Sequence, residues 1–123
     1  MKPKPASARF GRWGAGVSRP IGTLLVDSVA AETGRRSFSI FRITMKPRAS
    51  HPAIWHARTS EFFLVTRGAL LAVINGRPRR MRKGDGAHLA PGAVHEFRAG
   101  PSGCEVMSVF VPALNLRKPD IRR

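Results

Sequence analysis

Apolar and polar residues alternate along this chain in short runs, and glycine and proline cut the runs at close intervals. Ile21 to Val26 is an apolar run ending at Asp27-Ser28. Ser37 to Met45 is richer in strand formers, with Phe41, Ile43 and Met45 on one face at period 2, and it stops at Lys46-Pro47. Glu61 to Thr66 and Ala69 to Asn75 read as two strands separated by a tight turn at Arg67-Gly68. Asn75-Gly76 predicts a two-residue hairpin, because both central residues of a type I′ turn need positive φ. The returning strand, Arg77 to Arg82, carries Pro78, which places it at a sheet edge. Ala87 to Ala90, Val94 to Arg98 and Cys104 to Val111 complete the set, with Ala99 to Gly103 as a loop. Only Val29 to Arg36 offers a helical turn, and no 3.6-residue period is sustained anywhere. About eight short strands at turn spacings of about 8–12 residues predict an all-β sandwich or barrel.

The two ends have a different composition. Residues 1–19 hold five cations, no acid and several Gly and Pro, which predicts a basic, flexible arm tied down at Trp13. Residues 20–112 form the β-domain, and residues 113–123 form a basic tail whose one acid is Asp120.

At 123 residues the chain is one domain with enough length for a core of its own. A single cysteine, Cys104, excludes an internal disulfide and a thiolate zinc cluster, and it reads as a small buried hydrophobe. No secretory h-region and no membrane span is visible, so a cytoplasmic protein without a membrane role is expected. Lys and Arg number 22 against 7 Asp and Glu, a formal charge of +15. That field attracts polyanions, but no nucleic-acid-binding motif accompanies it. Specific nucleic-acid binding is not expected, and a basic β-protein with nucleic-acid affinity is the third functional reading. Arg77, Arg79, Arg80, Arg82 and Lys83 read as a charged edge that discourages aggregation. His88 reads as a surface histidine, and Trp55 as packing.

The chemistry concentrates in His56, Glu61 and His95. Two imidazoles and one carboxylate are the donor set of an open divalent-metal site suited to Fe, Mn, Ni, Co or Zn. Such a site activates O₂ or polarises a bidentate oxygen ligand.

The spacing of these residues resembles the cupin superfamily. The first cupin motif runs Gly-x₅-His-x-His-x₃₋₄-Glu-x₆-Gly, and here His56, Glu61 and Gly68 fall in register. The second runs Gly-x₅-Pro-x-Gly-x₂-His-x₃-Asn, and Gly84, Gly92 and His95 match it, after an interval of 15 residues from Gly68. The resemblance implies a double-stranded β-helix, or jelly-roll barrel, with His56, Glu61 and His95 as metal ligands and a homodimer as the default assembly. The motifs also depart from the family. Ile54 stands at the first histidine, Arg48 at the first glycine, Ala90 at the proline and Ala99 at the asparagine. His51 is a candidate replacement for the missing imidazole only if Pro52 breaks the strand, since an odd separation from His56 turns it away.

Ile54, Phe63 and Val65 are expected to line an apolar wall, and Arg42 and Arg98 to reach an anionic group of a substrate. The leading reading is a metal-dependent cupin with a small polar or anionic ligand, as an oxygenase, isomerase or lyase. The alternative is a metabolite-binding or sensing cupin that has lost its metal. The fold hosts many chemistries, so sequence alone does not choose the reaction.

Overall fold

A computed structural model of the chain describes residues 10–29 and 37–123. Among the described residues nine strands run in order: β1 (Trp13–Ile21), β2 (Leu24–Val29), β3 (Ser39–Met45), β4 (Trp55–His56), β5 (Ser60–Ile74), β6 (Arg77–Arg82), β7 (Gly86–Leu89), β8 (His95–Val111) and β9 (Ile121–Arg122). All pairings are antiparallel. The main sheet has the order β1-β2-β3-β8-β5-β6, with β7 also on β5, and β4 pairs with β9. This is the jelly-roll architecture that the motif spacing implies, and no helix occurs among the described residues.

The long strands β5 and β8 pair along most of their lengths and fold the sheet on itself. Their first and second halves face the core with opposite parity. In β5 the buried set changes from Glu61, Phe63 and Val65 to Leu70 and Ala72; in β8 it changes from His95, Phe97 and Ala99 to Cys104, Val106, Ser108 and Phe110. Register shifts at Val65/Arg67 and Gly68/Leu70 absorb the change. The expected turn at Arg67-Gly68 and the expected loop at Ala99 to Gly103 are therefore bulges inside continuous strands. Gly68 has φ of 72°, and a β-carbon there would collide with the carbonyl oxygen of Gly103, so both conformation and space require glycine.

Asn75-Gly76 forms the expected hairpin, with φ of 51° and 78° between paired Ile74 and Arg77. The run read as one strand from Ile21 to Val26 is instead split by a turn at Gly22-Thr23, with Ile21 paired to Leu24. Arg48 to His56 runs antiparallel to the first part of β8, through bridges Ser50 to Arg98 and Ile54 to His95. One core cluster centres on Phe63, Val65, Leu70, Phe97 and Cys104, and a smaller one on Val26, Phe41 and Phe110.

Both basic ends take part in this architecture. Residues 1–9 and 30–36 lie outside the described residues, and with them the first part of the arm and most of the single helical turn. From Trp13 the arm is strand β1, and the tail is no free appendage, because β9 lies on β4.

Candidate metal centre

Three elements bring the triad together inside the barrel. The isolated bridge fixes His95 opposite Ile54, with reciprocal backbone hydrogen bonds of 2.9 and 2.8 Å. Gly92 N–H donates to the His56 carbonyl at 2.9 Å and holds β4 beside the turn before β8. Glu61 begins the inward face of β5, between Leu89 of β7 and Phe110 of β8. His56, Glu61 and His95 are all buried, and one ligand atom of each lies within 4.8 Å of the other two.

Both imidazoles turn Nε2 toward the same oxygen, Glu61 Oε1, at 3.8 Å. That is too long for a hydrogen bond. Their Nδ1 atoms are held on the far side, His95 by the Ala93 carbonyl at 3.0 Å and His56 by Asp120 Oδ1 at 3.2 Å. Each partner is an acceptor, so each Nδ1 carries a hydrogen and Nε2 is the nitrogen whose lone pair a neutral ring presents to Glu61. The rings lie 5.6 Å apart and stack at 22°.

The remaining Glu61 oxygen, Oε2, accepts from Ser108 Oγ at 3.0 Å. Burial pushes the Glu61 carboxyl up to about 7, against the Ser108 hydrogen bond. Burial also lowers His95 to about 4, helped by the charges of His56 and His51 and opposed by its bond to Ala93. His95 is therefore neutral at neutral pH, as a metal ligand must be.

The donor set fits a divalent ion. Two ring nitrogens and one carboxylate oxygen converge in a buried site, where an ionised Glu61 calls for a balancing cation. Ligand atoms about 2.1 Å from an ion sit about 3.0–3.4 Å apart, so the 3.8 Å separations require only a slight closure of the side chains.

Asp120 is the component that sequence reading missed. Its Oδ2 accepts from Arg58 N–H at 2.7 Å, Thr59 N–H at 3.0 Å and Thr59 Oγ1 at 2.9 Å. Ala57 N–H donates to its carbonyl at 2.9 Å. Burial opposes ionisation of this carboxyl, but the bonds from Arg58, Thr59 and His56 outweigh it and hold it near 2. The signal in the sequence is slight: Asp120 is the lone acid of an otherwise cationic segment.

The triad borders a small cavity, about 60 Å³, whose walls include Ile54, Phe41, Ile43 and Met45 and, from the C-terminal segment, Leu114, Leu116 and Ile121. Ile54 sits on the cavity wall. Phe63 and Val65 face inward but are packed in the core cluster and do not line it. Phe63 packs on Phe97 with ring centroids 4.9 Å apart. Arg42 and Arg98 do not reach it either. Each alternates with inward neighbours, Phe41 and Ile43 or Phe97 and Ala99, so each projects outward; Arg42 pairs with Asp27 at 3.2 Å. His51 supplies no fourth imidazole. Its Nδ1 lies 2.8 Å from the Pro52 carbonyl, and its Nε2 accepts Phe97 N–H at 3.2 Å. His88 is exposed, and Cys104 is fully buried, with burial raising its thiol pKa against the nearby Arg67 charge.

The cupin domain profile matches residues 41–110, more than half of the chain, and the chain belongs to the cupin family. No curated protein matches it by sequence. Its fold is similar to KdgF from Halomonas sp., with TM-score 0.69 and 18% identity over 78% of this chain and 86% of that one. The Streptomyces protein Pac13, a nucleoside dehydratase, gives TM-score 0.69 and 16% identity over 90% and 88%. Oxalate decarboxylase from Bacillus subtilis gives TM-score 0.78 and 17% identity, covering 99% of this chain and 33% of that one. At these identities the likeness is one of fold.

Proposed function

We propose that this cupin binds one divalent transition metal through His56, Glu61 and His95 and uses it on a small oxygen-bearing ligand. The observation that supports this most is the shared orientation of the two imidazoles. Both present Nε2 to Glu61 Oε1, and both are fixed through Nδ1 by an acceptor. Fe, Mn, Ni, Co and Zn all suit the donor set. A bound metal would supply Lewis acidity toward an oxygen of the ligand.

This chain's own residues restrict what that ligand is. The cavity is small and apolar beyond the triad, so it accepts a ligand of a few heavy atoms while the C-terminal segment stays in place. Ile54 leaves the fourth ligand's position apolar. Asp120 holds the His56 hydrogen, and Ser108 orients Glu61. Oxygenase, isomerase and lyase chemistry are the reaction classes that such an open site serves. Titration with Mn(II), Fe(II) and Zn(II) by calorimetry tests the site: a Glu61→Gln variant should lose most of the affinity, and unchanged affinity would refute it.

A metal-free ligand-binding cupin is the second reading, and the raised Glu61 pKa favours it, because a neutral carboxylic acid is at home among these groups. We also place a homodimer on the outer sheet face. There Val109 lies beside Phe62, and Phe62 and Val111 are 44% and 50% exposed.

A further inference from the structure

The bulged crossing of β5 and β8 leaves a second concavity, about 490 Å³, on the outside of the barrel. Ala69, Leu71, Gly100 and Pro101 line it, and Leu70, Met81 and Ala99, buried toward the core, border it as well. In register, Leu71 lies between Arg80 of β6 and Arg98 of β8, and Ala69 lies opposite Arg82. Directly opposed residues share a face, and the alternate residues Leu70, Met81 and Ala99 are buried inward. All three guanidinium groups therefore line one outer groove, and all three residues are exposed.

These arginines are not neutralised locally. Among the described residues, none of the three makes an ion pair. Asp85 Oδ2 accepts from Arg82 N–H at 3.0 Å, and Glu105 accepts from Thr66 Oγ1 at 3.0 Å and stands opposite Arg67. Among the described residues, Glu96, opposite Val73, shares the outer face one pair beyond the groove. Three cations against the Glu96 and Asp85 carboxylates still leave the groove positive.

An anion over Leu71 sits about 5 Å laterally from the strands of both Arg80 and Arg98, and Arg82 follows about 7 Å along β6. Guanidinium forks bind phosphate oxygens bidentately. The volume lies in the range of small-molecule sites. Among the described residues no aromatic side chain lines the groove, which sets it apart from the stacking platform of a single-stranded nucleic-acid channel.

We propose that this outer groove binds a phosphorylated small molecule, with a phosphate between Arg80 and Arg98 and a second negative group on Arg82. The apolar part of the ligand rests on Leu71 and Pro101. The site is separate from the metal centre and does not depend on it.

The test is equilibrium binding of ATP to the full chain in EDTA at physiological salt, with a single-stranded RNA oligonucleotide as the competing probe. Saturable one-to-one ATP binding is expected. Arg80→Gln/Arg98→Gln should weaken it about tenfold or more, whereas Arg117→Gln/Arg123→Gln, which removes the same charge from exposed positions, and His95→Ala should not. Equal loss in both double variants would reduce the groove to net charge and overturn the proposal. So would RNA binding without ATP binding, or ATP binding that His95→Ala abolishes. Unchanged far-UV dichroism in each variant establishes that a loss reflects the site.

Discussion

Asp120 fixes His56: its Oδ1 lies 3.2 Å from His56 Nδ1, while Oδ2 collects three hydrogen bonds from Arg58 and Thr59. A contact across 64 residues thus ties the C-terminal segment to a candidate ligand. A carboxylate on the far nitrogen of a ligating histidine fixes the tautomer and raises ligand basicity. Asp120→Ala should therefore weaken metal affinity about 10–100-fold. Asp120→Asn, which keeps an acceptor oxygen, should lose less. Calorimetric titration of both variants checks the order.

The same carboxylate gives a stability prediction. Its pKa is about 2 folded against an ordinary 3.8, so its stabilising contribution is present above 3.8 and lost as pH falls toward 2. The acid unfolding midpoint of Asp120→Asn should lie at higher pH than that of the parent, measured by near-UV dichroism.

Glu61 behaves in the opposite sense. Its pKa is raised from 4.5 to about 7, so the stability linked to it is complete below 4.5 and declines as pH rises through 7 in metal-free protein. Metal binding requires the carboxylate, and should release a proton from Glu61 at pH 6 and far less of one at pH 8. Calorimetry in buffers of different ionisation enthalpy measures that difference.

Ile54 sits on the cavity wall and pairs with His95. Ile54→His should tighten metal affinity by restoring a third imidazole, with affinity for the same ion compared by competition against a chelator.

Phe62 and Val111 expose apolar surface on the outer sheet face. The parent should elute at twice its chain mass of 13.5 kDa, and Phe62→Glu at that mass itself. Size exclusion with light scattering distinguishes the two.

Local chemistry made much of this structure legible. Asn75-Gly76 specified its hairpin, and Phe41, Ile43 and Met45 their face, because turn chemistry and period-2 burial act within a few residues. The motif spacing carried His56, Glu61 and His95. The bulges at Gly68 and at Gly100 to Gly103 resembled turns because both interrupt alternation; only pairing between β5 and β8 shows that the strands continue and change face. Simple parity with Glu61 and His95, ahead of either bulge, puts Phe63 and Val65 in the core and turns Arg98 outward. Asp120 was not legible, because its partners His56, Arg58 and Thr59 lie more than sixty residues away.

The most direct measurement is elemental analysis of protein prepared without chelator, alongside His95→Ala. About one equivalent of a divalent transition metal in the parent, lost in the variant, is the predicted result. Metal well below one equivalent in the parent, with no loss of affinity on adding metal to His95→Ala, would contradict a metal centre at His56, Glu61 and His95.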